Sequence, residues 1–276
     1  MNKNKGWTVR GMPLTVLRRK DMVKLIVCDV DGTLLEKGSE KLNEKTVEAL
    51  EKLYKAGKKI AFASGRTYFG IRKIAQELSF AQDIYYICCD GAVCIYREKV
   101  LYHKQISIEN ILKISRSPLY EKSSVVYYSD TFSYVMGSTP EFLAGLEAQS
   151  IDCLDPVSGM YDVKAPIYKI GIYNNDTRPE RLNPCPFELR VCYESCNWLE
   201  YTSRFANKGL ALSDLQMRLY LTKLETAALG DGENDIEMFS KAKYTYASVN
   251  GCEKLKEICD EQFFFVNEAL EKLLYK

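Results

Sequence analysis

Asp29-Val30-Asp31-Gly32-Thr33, directly behind the apolar run Lys24-Leu25-Ile26-Val27-Cys28, decides how this chain is read. A short apolar run with a polar stop fits a strand buried on both faces of a parallel sheet. In an open α/β sheet, ligands bind outside the carboxyl ends of the strands. Two carboxylates one residue apart at such an end are costly unless something cationic balances them. A hard divalent cation does so. Mg²⁺ takes a few carboxylates and leaves its other positions to water and substrate phosphate.

Outward from this stretch the pattern alternates. Asn43 is placed to cap a helix whose apolar residues Val47, Leu50, Leu53 and Tyr54 share one face, and Gly57 is placed to end it. Lys59 to Ala63 reads as a second strand, followed by Ser64-Gly65-Arg66. Ile71, Ile74, Ala75 and Leu78 mark a second helix, and Ile84 to Cys88 a third strand. The β-α-β-α-β order predicts a right-handed, doubly wound parallel sheet.

The character changes near residue 92. Val93–Tyr96 and Val100–His103 flank Arg97-Glu98-Lys99 as a hairpin would. Short, aromatic-rich segments follow at Val125–Tyr128, Phe132–Val135, Tyr168–Tyr173 and Glu188–Cys192, among Pro118, Pro140, Pro156, Pro166, Pro179, Pro184 and Pro186. From Lys208 the first pattern returns: a helix to Leu219, a strand at Thr226–Leu229, then Gly230-Asp231-Gly232-Glu233-Asn234-Asp235. The expected fold is therefore α/β, a Rossmann-like core built from residues 22–91 and 195–276 with an α+β cap inserted over 92–194. Residues 1–21, basic and without pattern ahead of Met22, read as a disordered extension.

Composition narrows the function. Lys plus Arg number 38 against 37 Asp plus Glu, a net charge of +1, so no global field draws the chain to nucleic acid or anionic lipid. No apolar run approaches the roughly 20 residues a membrane span needs. Cys192 and Cys196 stand four apart, but no second pair follows and His103 is the single histidine, which disfavours structural zinc. The ten cysteines fit reduced thiols in a cytoplasmic protein. Gly-x-Gly-x-x-Gly and the Walker lysine motif are both absent. His103, at the end of a hairpin strand, reads as structural or exposed. The pairs Tyr85-Tyr86 and Tyr127-Tyr128 read as packing.

Asp231 and Asp235 supply a second set of oxygen ligands behind a strand. Either acidic cluster alone is compatible with an ordinary Asp/Gly turn; both at one sheet edge argue for a metal. Ser64 offers a hydroxyl and Lys208 an ammonium to phosphate oxygens, and phosphoryl transfer depends mostly on such positioning and charge stabilisation.

Taken in order, Asp29-Val-Asp31-Gly32-Thr33, Ser64-Gly65-Arg66, Lys208 and Gly230-Asp231-Gly-Glu-Asn234-Asp235 resemble the four motifs of the haloacid dehalogenase superfamily. More narrowly they resemble its Cof-like phosphatases, over about residues 22–276. The resemblance implies Asp29 as the nucleophile forming an aspartyl-phosphate, and Asp31 as general acid/base whose backbone carbonyl also meets Mg²⁺. It implies Ser64 and Lys208, with Gly32, Thr33, Gly65 and Asn234, around the phosphate, and Asp231 and Asp235 on the metal with Asp29. Two departures stand out: Asp90-Gly91-Ala92 where the family often has Asn-Gly-Ala, and no Gly-Val-Ala before the last helix. The implied substrate is a small phosphorylated metabolite, handled by a monomer or homodimer. The alternatives are a phosphomutase of the phosphomannomutase type, whose fourth motif is longer and glycine-rich, and a silent binding protein on the same fold.

Overall fold

The computed structural model describes residues 22–130, 133–137, 139–148, 154–157, 162–163 and 166–276. The extension expected over 1–21 lies outside the described residues, as does Phe132.

The first strand, β1 (Leu25–Asp29), is buried along its whole length. It alternates its faces: Ile26 and Cys28 join one hydrophobic cluster, Leu25 and Val27 another on the opposite side. A strand that must bury both faces needs helices on both, and the chain supplies them. On one side lie α1 (Glu44–Lys55) and α8 (Val266–Leu273), which bring Leu50, Leu53, Leu270 and Leu273. On the other lie α5 (Lys208–Arg218) and the short α6 (Ile236–Phe239), which bring Leu212, Leu215, Met238 and Phe239. Asn43 caps α1 as expected, its side chain accepting from the Thr46 amide.

The remaining core elements are β2 (Lys59–Ala63), α2 (Tyr68–Ala75), β3 (Tyr85–Cys88), β12 (Thr226–Gly230), β13 (Tyr244–Ser248), α7 (Glu253–Ile258) and β14 (Glu261–Phe263). The strands stand in the order β14-β13-β12-β1-β2-β3, all parallel. Register then gathers the motifs. Asp29 pairs with Ala63, so Ser64 follows at the same edge. Cys28 pairs with Leu229, which sets Gly230 and Asp231 beside Asp29 and Val30. Residues about 200 apart in sequence meet because neighbouring parallel strands end together.

The hairpin β4 (Val93–Tyr96) and β5 (Lys99–His103) corrects the expected boundary at residue 92. It extends the first sheet as an antiparallel edge, with β4 on β3. The cause is local. Cys89 (φ 51), Asp90 (φ 57) and Gly91 (φ 85) adopt left-handed backbone directly after β3 and turn the chain back along it.

The cap follows. Its sheet runs β10-β11-β9-β6-β7-β8, from β6 (Ser124–Tyr128), β7 (Ser133–Met136), β8 (Leu154–Pro156), β9 (Lys169–Tyr173), β10 (Leu189–Glu194) and β11 (Trp198–Ser203). All its pairings are antiparallel except β7 with β8. β11 belongs to this sheet, so the expected end of the insert at 194 falls short by one strand. The apolar residues of α3 (Ile108–Ser115) pack on Val125, Tyr127, Ile170 and Ile172. On the other face Val126, Tyr128 and Trp198 join the core cluster, together with Phe142 and Leu146 of α4 (Pro140–Ala148). Tyr85, Tyr86, Tyr127 and Tyr128 are buried packing residues, and His103 is exposed.

Candidate active site

Asp29 ends β1, Asp231 follows β12, and Asp235 sits in a single turn just beyond. Their carboxylate oxygens lie within 4.8 Å of one another. Beneath them Lys208, the first residue of α5, is fully buried. Its Nζ donates to Asp29 Oδ1 at 2.6 Å and to Asp235 Oδ1 at 2.7 Å. Asp235 Oδ2 accepts from the backbone amides of Asp231 and Gly232, each at 3.0 Å. The loop bearing Asp231 is thereby wound around the Asp235 side chain.

The electrostatics leave negative charge in excess. Three carboxylates face one ammonium, a net charge of −2. Burial pushes Asp29 well above the ordinary carboxylate range; Lys208 pulls it back, while Asp235 and Asp231 push it further up. Burial, then Asp235, raises Asp231 to about 6. For Lys208, burial works against the charge, yet Asp235 and Asp29 outweigh it and hold the ammonium well above the usual lysine range.

Asp29 Oδ2 is buried with no hydrogen-bond partner among the described residues, and so is the hydroxyl of Thr33. An orphaned carboxylate oxygen beside two more carboxylates is a ligand set for a hard cation. Two positive charges would neutralise it, so the residues present fit Mg²⁺.

Gly32 is required for this closeness. Its φ is +84, and a Cβ there would stand 2.2 Å from Asp231 Oδ2. Any side chain would both strain the backbone and displace a ligand carboxylate.

Asp31 points elsewhere. Its carboxylate is held by Arg66, with Nε to Oδ2 at 2.8 Å and Nη2 to Oδ1 at 2.7 Å. Its side chain is therefore not part of the carboxylate cluster; the metal contact assigned to it from the sequence was through its backbone carbonyl. Ser64 Oγ lies 3.5 Å from Asp31 Oδ2 and accepts from the Arg66 amide at 3.1 Å. Arg66 closes the Ser64-Gly65-Arg66 motif, and its role emerges only from this ion pair. A basic residue two positions past the serine, opposite a second aspartate, was the signal available.

These groups line a cleft of about 430 Å³. Asp29, Asp31, Ser64, Gly65, Asp231 and Asn234 contribute from the core, and Lys169, Cys192, Tyr193 and Glu200 from the cap. Sequence reasoning missed Lys169 and Glu200, which sit on two strands of the insert with no motif around them. Lys169 Nζ donates to Glu200 Oε2 at 2.9 Å and across to the core, to the Gly65 carbonyl at 2.8 Å. Asn234 turns its amide to Asp90, with Nδ2 to Oδ1 at 3.1 Å.

Among the described residues, the acidic trio is the group able to hold a metal, and the described cysteines are free thiols. No helix is long and apolar enough to cross a membrane.

Comparison with known proteins agrees with this geometry. The sequence model for haloacid dehalogenase-like hydrolases matches residues 26–269. An HMP-PP phosphatase of Yersinia pseudotuberculosis is 27% identical over 243 residues, covering 86% of this chain and 87% of that one. The crystal structure of TM0651 from Thermotoga maritima superposes with a TM-score of 0.78 at 25% identity, over 92% of this chain and 98% of that one. A subclass IIB sugar phosphatase of the same superfamily superposes at 0.74 with 20% identity, over 90% and 95%. With the match to the family spanning both sheets and all four motifs, this chain belongs to the haloacid dehalogenase-like hydrolases.

Proposed function

We propose that the chain is a Mg²⁺-dependent phosphatase that hydrolyses monoesters of small metabolites through an aspartyl-phosphate on Asp29. The observation that carries this reading is Asp29 itself. One of its oxygens is held by the buried Lys208, while the other has no hydrogen-bond partner among the described residues, and Asp29 lines one cleft with Ser64 and Asn234. A carboxylate offers about four acceptor sites, so Asp29 has capacity left to meet a cation and a phosphorus atom.

Bound at Asp29, Asp231 and Asp235, Mg²⁺ would supply charge neutralisation for the phosphate and the three carboxylates. Lys208 keeps Asp29 oriented, and its buried ammonium strengthens as negative charge builds on the phosphate oxygens. Ser64 Oγ and the amide of Asn234 donate to those oxygens. Asp29 attacks, forming the P–O bond as the ester bond breaks. Once Arg66 releases it, Asp31 takes up a proton from solvent or from the substrate monoanion, gives it to the leaving alcohol, then takes one from the water that cleaves the aspartyl-phosphate. In the resting state Arg66 holds Asp31, so Asp31 must exchange that ion pair for the leaving oxygen when substrate enters. The cap supplies the wall facing the leaving group and sets substrate choice. We place the reaction in the cytoplasm, where the free thiols stay reduced.

The two aspartates separate by experiment. Asp29→Asn removes the covalent route, and activity falls to background. Asp31→Asn costs about 10²–10⁴-fold with alkyl phosphates. It is still phosphorylated by an aryl phosphate, whose leaving group needs no proton, so phosphoenzyme accumulates in rapid-quench trapping. A phosphoenzyme in the Asp29 variant but not in the Asp31 variant would reverse the roles. Isomerised sugar phosphate in place of released phosphate would make the enzyme a mutase.

A further inference from the structure

We propose that Asp90 selects the alcohol half of the substrate, and that this half carries an amine whose ammonium docks on the Asp90 carboxylate. The inference rests on the phosphatase reading above and deepens it.

Asp90 is carried on the left-handed turn after β3. It is 7% exposed and lines the same cleft as Asp29 and Asp31. Its carboxylate lies hard against the loop after β2: a Cβ on Gly65 would stand 3.1 and 3.2 Å from its two oxygens. The carboxylate is thus set beside the phosphate-binding serine, on the side where the cap closes the cleft.

Its partners do not saturate it. Oδ1 accepts from Asn234 at 3.1 Å. Oδ2 has, among the described residues, only the Lys169 ammonium at 3.8 Å, an ion contact too long for a hydrogen bond. A carboxylate has about four acceptor sites, so capacity remains open at the cleft.

Lys169 is also committed elsewhere, to Gly65 O at 2.8 Å and Glu200 Oε2 at 2.9 Å. Glu200 in turn is filled: its Oε1 accepts from Tyr128 at 3.2 Å and from Trp198 Nε1 at 3.0 Å. Lys169 is thus shared between Glu200 and Asp90, and the three side chains together carry one negative charge in excess. The three side chains are 7%, 6% and 9% exposed, so water screens this excess poorly.

A ligand offsets that cost best by bringing a positive donor. A neutral hydroxyl would fill an acceptor site and leave the charge. A second phosphate or a carboxylate would meet two carboxylates and an ammonium already in use. The chemistry that fits is therefore the phosphate ester of an amino alcohol, an amino sugar phosphate being one example.

The test is phosphate release with Mg²⁺ on matched pairs: glucosamine 6-phosphate against glucose 6-phosphate, and pyridoxamine 5′-phosphate against pyridoxine 5′-phosphate. 3-Phosphoglycerate serves as the anionic case and p-nitrophenyl phosphate as a leaving group without an amine. The wild type should favour the amine in at least one pair by about tenfold or more in kcat/KM, the contribution of one charge-assisted hydrogen bond. 3-Phosphoglycerate should be the poorest ester. Asp90→Asn, which Asn can accommodate at positive φ, should bring the favoured ratio to within about threefold of unity, chiefly through KM for the amine.

Competition needs no variant. In the wild type, the amine should inhibit p-nitrophenyl phosphate hydrolysis at lower concentration than its neutral partner. Hydrolysis of p-nitrophenyl phosphate without amine preference in either pair overturns this inference and leaves the phosphatase reading standing. So does a preference that Asp90→Asn leaves intact. Failure to hydrolyse any of the esters, p-nitrophenyl phosphate included, overturns both.

Discussion

Lys208→Met is the perturbation that asks most of this site. The methionine keeps the length of the side chain but removes an ammonium that is fully buried and bonded to two buried carboxylates, at 2.6 and 2.7 Å. Breaking a buried ion pair from one side costs about 3–5 kcal/mol, because the remaining charge is left uncompensated. For a chain of this size each kcal/mol moves Tm by about 2–4 °C. The metal-free variant should then melt roughly 6–20 °C below the wild type at pH 8.

The sign with pH follows from the shifts. Lys208 is raised in the fold, so its contribution is fully present below the unfolded lysine value of about 10.4 and is lost only at higher pH. The wild-type contribution is thus constant between pH 5 and 8. In the variant, protonating Asp231, which burial and then Asp235 raise to about 6, removes one of the negative charges left around the site. The deficit should therefore shrink as pH falls from 8 to 5. Calorimetry in EDTA at both values reads this directly. An unchanged Tm at pH 8, or an equal deficit at pH 5 and 8, would refute the reasoning.

Metal should stabilise the fold as well as activate it: Mg²⁺ at 100 times its Kd adds about 2.7 kcal/mol. Thermal shift should show this in the wild type and not in Asp235→Asn, and full activity in excess chelator would remove Mg²⁺ from the scheme. Because Asp231 is raised to about 6, the bound cation must displace its proton below that pH. Affinity measured by isothermal titration should weaken by up to about tenfold per unit from this group well below pH 6; a flat profile through 6 would count against Asp231 as a ligand. Gly32→Ala places a Cβ 2.2 Å from Asp231 Oδ2 at a φ of +84. It should lose about 1–3 kcal/mol of stability together with the Mg²⁺-dependent rise in Tm, and a variant that still shows that rise would separate Gly32 from the metal site.

Much of this molecule was written locally. A run such as Leu-Ile-Val-Cys ahead of Asp29 makes a buried strand because it is short, apolar and bounded. Asn43 starts a helix because its side chain reaches the Thr46 amide three residues on. Spacing of this kind was enough for the order of elements, the doubly wound sheet and both acidic motifs. It also put a motif near residue 30 and one near 231 at a single sheet edge, where the parallel register of β1 and β12 ends both strands.

Other features depended on packing alone. Lys208 reads in sequence as an ammonium offered to phosphate oxygens; only the fold drives it beneath Asp29 and Asp235, bonded to both carboxylates. Arg66 could be seen near a serine, but its bidentate hold on Asp31 comes from the meeting of two strand-end loops. The hairpin after residue 92 was readable as a hairpin, not as the edge of the first sheet. Lys169 and Glu200 lie among ordinary strand residues of the insert, and their contact with Gly65 and proximity to Asp90 exist because cap and core close on one cleft. Periodicity and capping act over a few residues, so the sequence by itself determined the elements and the chemistry at their ends. Charge balance in a buried cleft is a sum over side chains that only tertiary packing brings within a few ångströms, so the structure alone decided which charges are answered and which are left open.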